Sequence, residues 1–182
     1  MEMPNNKVAF IVAPQNFQPI EFQIPYAILQ QAGFECVVAS QKLGPCFSSN
    51  GSQITATHAL ANLQPQEFLG IVFVGGSGSA IFDTDRAAHD LVRRFFQAQK
   101  ICAAICHAPV IFANAGILQG KKATYFQCPE NQRALEQGSA QLSENANEVD
   151  GKIITANGPA AAEKFGQQIL ALLPKTKEPV PE

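Results

Sequence analysis

Residues 101–116 read ICAAICHAPVIFANAG. The run Ile101–Ile105 is short and wholly apolar, as expected of a strand buried on both faces. It passes without a connecting loop into a predicted helix over His107–Ala115, in which Pro109 suits a first turn and the following Gly116 a stop. A strand buried on both faces belongs to a parallel sheet covered on both sides by helices, and the rest of the chain repeats the alternation. Upstream, strands are expected over Val8–Val12, Phe34–Ala39 and Gly70–Val74. The first two flank a helix face of Ile20, Ile24, Ala27, Ile28 and Gln31 that stops before Gly33. A helix over Asp85–Gln99 carries Ala88, Leu91, Val92, Phe95 and Phe96 at three-to-four spacing. Downstream come a short strand over Ala123–Phe126, a helix over Pro129–Gln137, a hairpin over Val149–Thr155 through Asp150-Gly151, and a closing helix over Ala160–Leu173. Asn50-Gly51 is a second hairpin signal in the less regular stretch 45–61. The pattern predicts an α/β fold, a flavodoxin-like three-layer sandwich with a mostly parallel sheet. In such sheets ligands sit at the carboxyl ends of the strands.

The 182 residues, 46% hydrophobic and 15% charged, suit one domain, expected over Lys7–Leu173, with frayed termini at 1–6 and 174–182. The 13 Lys and Arg against 15 Asp and Glu leave a net charge of −2, so no basic face is available for nucleic acid or an anionic membrane. No apolar run approaches the roughly 18–20 residues of a membrane span. The opening MEMPNNKVAFIVAPQ reads as a strand rather than a signal peptide, which points to the cytoplasm. Five cysteines, Cys36, Cys46, Cys102, Cys106 and Cys128, form neither a CxxC pair nor a metal-binding spacing, so no disulfide framework, metal or other cofactor is expected.

Cys106 stands where strand meets helix, the position of a nucleophile elbow, with small neighbours Ala103, Ala104 and Ala108. N–H groups at the helix start are expected to favour its thiolate; the bland alternative is a core cysteine. Gly75-Gly76-Ser77-Gly78 ends another strand and makes either a simple turn or an oxyanion hole beside Cys106, together with the His107 N–H. Glu21, within PIEFQIP, either caps the helix start or points across the strand ends at the cysteine, where burial would raise its pKa. Cys36 and Cys102 fall inside strands and read as packing, Cys46 and Cys128 stay open, and His58 and His89 read as surface histidines.

The segments KVAFIVAPQNFQPIEFQIPYAILQQAGFECVVAS (7–40), GIVFVGG (70–76), KICAAICHAPVIFANAGILQGKKAT (100–124) and VDGKIITANGPAAAEKFGQQILALL (149–173) together resemble the ThiJ/PfpI superfamily of deglycases and intracellular proteases. The resemblance implies a homodimer in which Cys106 is the nucleophile and Glu21 is hydrogen-bonded to its sulfur, with Gly76 and His107 N–H groups facing the substrate oxygen. In the protease-like branch an acid just past the Gly-Gly turn orients the His; that position aligns with Ala80, the nearest acids being Asp83 and Asp85. In the deglycase branch a later His and an Arg complete the site, and those positions align with Phe126 and Asn157. The expected function is thiolate chemistry on small reactive aldehydes or glycated substrates, with Cys106, His107 and Glu21 catalytic and Gly75, Gly76 and His107 binding the oxygen. The alternatives are an amidase or peptidase, and a redox sensor or stress chaperone in which Cys106 is oxidised.

Overall fold

The computed structural model describes residues 5–175. In chain order its elements are β1 (Lys7–Ile11), β2 (Gln15–Phe17), α1 (Pro19–Gln31), β3 (Glu35–Ser40), β4 (Gly44–Ser48), β5 (Gln53–Ala56), β6 (His58–Ala59), β7 (Gly70–Phe73), α2 (Arg86–Gln97), β8 (Ile101–Ile105), α3 (Pro109–Ala115), β9 (Lys122–Ala123), α4 (Pro129–Gln137), β10 (Gln141–Leu142), β11 (Asn147–Asp150), β12 (Ile153–Ala156) and α5 (Ala162–Leu172). A seven-stranded sheet runs in the order β11-β12-β8-β7-β1-β3-β6. All its neighbouring pairs are parallel except β11 with β12, which the Asp150-Gly151 turn joins as a hairpin.

Because side chains alternate along a strand, each central strand feeds two cores. Ala9, Ile11, Ile71, Phe73, Cys102 and Ala104 pack on one face with Leu91 and Phe95 of α2, Ile111 and Phe112 of α3 and Leu135 of α4. Val8, Phe10, Val72, Val74, Ala103 and Ile105 pack on the other with Phe22 and Leu29 of α1 and Phe165 and Ile169 of α5. This is the flavodoxin-like sandwich, with β1, β7 and β8 at its centre and their carboxyl ends side by side.

Several boundaries differ from the sequence expectation. The strand expected over Ala123–Phe126 shrinks to Lys122–Ala123, paired with β10 outside the main sheet. Beyond it the backbone finds other partners: Thr124 N–H donates to Thr155 Oγ1 at 3.0 Å, and Phe126 N–H to the Cys106 carbonyl at 2.8 Å. Asp85 lies outside α2 as its N-cap, its carboxylate accepting from Ala87 and Ala88 N–H. A short 3-10 turn, Pro159–Ala161, precedes α5. The irregular stretch resolves into the β4–β5 hairpin through Asn50-Gly51, with β2 pairing alongside β4. Of the expected frayed ends, residues 1–4 and 176–182 lie outside the described residues. Asn5 and Asn6 are tied down, Asn5 Nδ2 donating to the Gln66 carbonyl and the Asn6 carbonyl accepting from Glu35 N–H.

Helices α1 and α5 approach closely at Gly166, where a Cβ would lie 2.8 Å from Ile28 Cδ1 and 3.0 Å from Pro25 Cα. On an open helix face any side chain in place of glycine stabilises, but here the added carbons have no space. Gly166→Val is expected to lower unfolding free energy by about 1–3 kcal/mol, read as a lower urea midpoint at unchanged slope.

Candidate active site

The β8–α3 junction holds Cys106 at φ +66°, in the left-handed region that a residue with a side chain occupies only at a cost of roughly 1–3 kcal/mol. Three backbone hydrogen bonds hold it there. Cys106 N–H donates to the Ala156 carbonyl at 2.8 Å, the Cys106 carbonyl accepts from Phe126 N–H, and Ala108 N–H donates to the Ile105 carbonyl at 3.1 Å. The helix does not begin at His107 as expected: Cys106, His107 and Ala108 form a tight turn, and α3 starts at Pro109. With Ala108 N–H engaged by Ile105, the His107 N–H is left to face the sulfur.

Opposite the elbow, the chain leaving β7 runs into Gly75 and Gly76. A Cβ on Gly75 would overlap a carboxyl oxygen of Glu21 and lie 2.6 Å from both Cys106 Cβ and the Ile105 carbonyl. Gly76 has φ +103°, and a Cβ there would lie 2.5 Å from the Gln18 nitrogen. Both positions therefore require glycine, and the reward for it is that Gly76 N–H reaches the Cys106 sulfur.

Glu21 sits three residues after Gln18, the N-cap of α1, where a glutamate would ordinarily reach back to the cap's N–H. That N–H is already donated to the Gly75 carbonyl at 2.9 Å, so Glu21 turns inward against Cys106 and Gly75. Of the two readings left open by the sequence, the structure takes the second. The carboxyl is fully buried, and neither oxygen has a hydrogen bond of good geometry. Burial pushes its pKa from 4.5 to about 7, with the neighbouring Cys106 thiol and Gly75 N–H offsetting part of the rise.

The thiol departs from expectation. Burial, and then the negative charge of Glu21, push Cys106 from 9.0 to about 12, outweighing the Gly76 and His107 N–H groups that act in the other direction. Glu21 and Cys106 thus behave as one site with two titration steps, holding a single proton between them over the range from about 7 to about 12.

The orienting acid that the family pattern places at Ala80, and that this chain lacks there, is supplied one 3-10 turn later by Asp83. Asp83 N–H closes on the Ala80 carbonyl, which places residues three apart on one side of the turn. Both Asp83 carboxylate oxygens meet His107 Nε2, at 2.8 and 3.0 Å. Asn114 Nδ2 holds the Asp83 carbonyl at 2.9 Å. The partner comes from the same chain, and the correction matters because His107 is not left without an orienting carboxylate. Among the described residues no hydrogen bond joins the His107 ring to the Cys106 sulfur.

Of the other two positions that depart from the family pattern, Phe126 meets the elbow through its backbone N–H, whereas Asn157 N–H donates to the Ala146 carbonyl at 2.9 Å. Cys102 is fully buried, Cys36 packs half-buried against the α1 side of the core, Cys46 is buried, and Cys128 is half-exposed at the start of α4. His58 is exposed as expected, whereas His89 is half-buried with Nε2 shut away from solvent. Two clefts around Gln99, Lys100 and Lys152 open at the amino ends of β8 and β12, remote from the elbow.

Fold and elbow together define a class of parallel α/β proteins with a cysteine at a strand-to-helix junction. The chain matches the model of the DJ-1/PfpI family over residues 6–172, and it belongs to that family. It is 35% identical to an uncharacterized protein of Methanocaldococcus jannaschii over 97% of this chain and 86% of that one. It is 27% identical to a deglycase of Pyrococcus horikoshii over 92% and 99%. Among solved structures it is similar to a ThiJ/PfpI domain protein of Brachyspira murdochii, with TM-score 0.88 and 28% identity over 92% of this chain and 96% of that one. No helix among the described residues is long and apolar enough to cross a membrane.

A carboxyl whose folded pKa is raised destabilises the fold once it must ionise, so this burden is absent below the ordinary value of 4.5 and complete above about 7. At about 1.4 kcal/mol per pKa unit the burden is about 3 kcal/mol. Stability of the wild type is expected to fall across that window, and Glu21→Gln to remove most of the fall, in urea unfolding followed at pH 5 and pH 8.

Proposed function

We propose that this protein is a cysteine-dependent catalyst acting on small reactive aldehydes, of the glyoxalase or deglycase type. The observation that carries the reading is the buried Glu21 carboxyl against a thiol faced by two backbone N–H groups. Gly76 and His107 N–H groups both lower the cost of charge on sulfur, against the single backbone donor, Gly75 N–H, that acts on Glu21. That asymmetry favours the arrangement in which the shared proton sits on Glu21 and the charge on Cys106.

From that state the sulfur adds to the aldehyde carbon. The carbonyl electrons move onto oxygen beside the Gly76 and His107 N–H groups, and Glu21 hands over its proton to give a hemithioacetal. With a 2-oxoaldehyde, the ionised Glu21 then takes the carbon-bound proton to give an enediol and returns it to the neighbouring carbon, while the hemithioacetal hydroxyl proton passes to the oxygen on that carbon, leaving the thioester of a 2-hydroxy acid on Cys106. Water opens the thioester, with the Asp83–His107 pair as the nearby base, and releases a 2-hydroxy acid and the thiol. Atoms balance as substrate plus one water, with no external oxidant or reductant.

One observation favours a second reading. The Asp83–His107 pair resembles two-thirds of a hydrolytic triad, which suits an amidase or peptidase. The ring is not hydrogen-bonded to the thiol, so His107 is not set to activate Cys106, and the aldehyde reading takes precedence.

Incubation with methylglyoxal is expected to show loss of dicarbonyl that Cys106→Ser abolishes; no loss with the wild type overturns the reading. The rate should rise with pH through about 7, as the Glu21–Cys106 pair sheds its first proton. Glu21→Gln should lower kcat by roughly 100-fold or more and move that rise to higher pH, as seen in a pH–rate profile.

A further inference from the structure

We propose that Phe126 is an apolar wall of the substrate site beside Cys106, so that the chain prefers aldehydes with an uncharged, apolar tail over anionic ones such as glyoxylate. The inference rests on the aldehyde reading above for its substrate class. Thr124 and Tyr125 are buried, at 0% and 3% exposure, yet Phe126, next in sequence, is 49% exposed. It is not a loose loop residue. Its N–H is bonded to the nucleophile's own carbonyl at 2.8 Å, and its carbonyl accepts from Asn131 Nδ2 at 3.1 Å. Asn131, on α4, is itself only 2% exposed. The backbone from which the ring projects is therefore clamped between the elbow and a helix. A half-exposed aromatic on a fixed backbone forgoes burial without gaining mobility, and contact with a ligand's apolar tail recovers part of that burial.

Charge points the same way. The Glu21–Cys106 pair carries one negative charge once it has lost its first proton, and the next charged group along the elbow is Asp83 on His107. Among the described residues no Lys or Arg is hydrogen-bonded or ion-paired to Glu21, Gly75, Gly76, Cys106 or His107. An anionic tail would enter beside the charge of that pair and the carboxylate of Asp83, with no Lys or Arg bonded at the elbow to offset them.

The test compares alkylation of Cys106 by N-benzyl-iodoacetamide, iodoacetamide and iodoacetate, followed by mass spectrometry of the Cys106 peptide and normalised to free glutathione. In the wild type the benzyl reagent should be about threefold to tenfold faster than iodoacetamide, as one aromatic contact allows, and iodoacetate slower than either. Phe126→Ala should bring the benzyl ratio close to one, and Phe126→Leu should keep part of it. The kcat/KM ratio of phenylglyoxal to methylglyoxal should fall in parallel, and because each ratio is internal to one variant, loss of active protein cancels. A benzyl ratio near one in the wild type, or one unmoved by Phe126→Ala, overturns the proposal. If methylglyoxal is not consumed but the alkylation ratios behave as expected, the aldehyde reading fails and the apolar wall stands.

Discussion

A carboxyl group buried against a thiol, with no cation bonded to either among the described residues, is the constraint on which the site depends. Ionising Glu21 in that position is costly, and the surrounding backbone is arranged to make the cost bearable. Gly75 has no side chain because the Glu21 carboxyl occupies the space one would need. Gln18 gives its N–H to Gly75 rather than to Glu21, which joins the start of α1 to the end of β7 and turns the glutamate inward. Gly76 and His107 point N–H groups at the sulfur and Gly75 one at the carboxyl, so the one charge the pair must carry above pH 7 has more donors on the sulfur side.

The strained Cys106 backbone follows from the same requirement. At the end of a doubly buried strand an extended residue would send its side chain into one of the two cores. A left-handed residue instead turns it toward the ends of β1 and β7. The turn is held by Cys106 N–H donating to the Ala156 carbonyl and by the Cys106 carbonyl accepting from Phe126 N–H, partners that lie far apart in sequence. The elbow is thus a property of the assembled sheet rather than of α3 alone, a seven-residue helix whose own first turn begins only at Pro109.

Much of this was legible in the sequence. Unbroken apolar runs placed β1 and β8 to within a residue, because core strands are buried on both faces, and helical spacing in α1 and Pro129 at the start of α4 placed those helices to within a residue or two. The neighbourhood of Cys106, Glu21 and Gly75-Gly76 was legible as well, each lying at the end of a predicted strand. What was hidden depends on spatial neighbours. Asp83 could be missed because its reach to His107 depends on the 3-10 turn after Gly76, which shifts the acid by three residues from Ala80. The sequence offered Asp83 only as one of two nearest acids, with nothing to choose it over Asp85. The thiol's upward shift was hidden for a related reason: N–H donors are visible in a motif, whereas burial and the charge of Glu21 appear only when α1 is laid beside β8. Thr124–Phe126 looked like a strand because its residues favour one, yet its backbone groups are taken by Thr155 and Cys106 instead of a ladder.

The pairing of Glu21 with Cys106 is tested most directly by the ultraviolet absorbance of the Cys106 thiolate as a function of pH, taken as wild type minus Cys106→Ser. A step with its midpoint near pH 7 that moves to higher pH in Glu21→Gln is the result expected if the shared proton rests on the carboxyl. A thiolate that appears in the wild type only toward pH 12 would place the charge on Glu21 instead and contradict it.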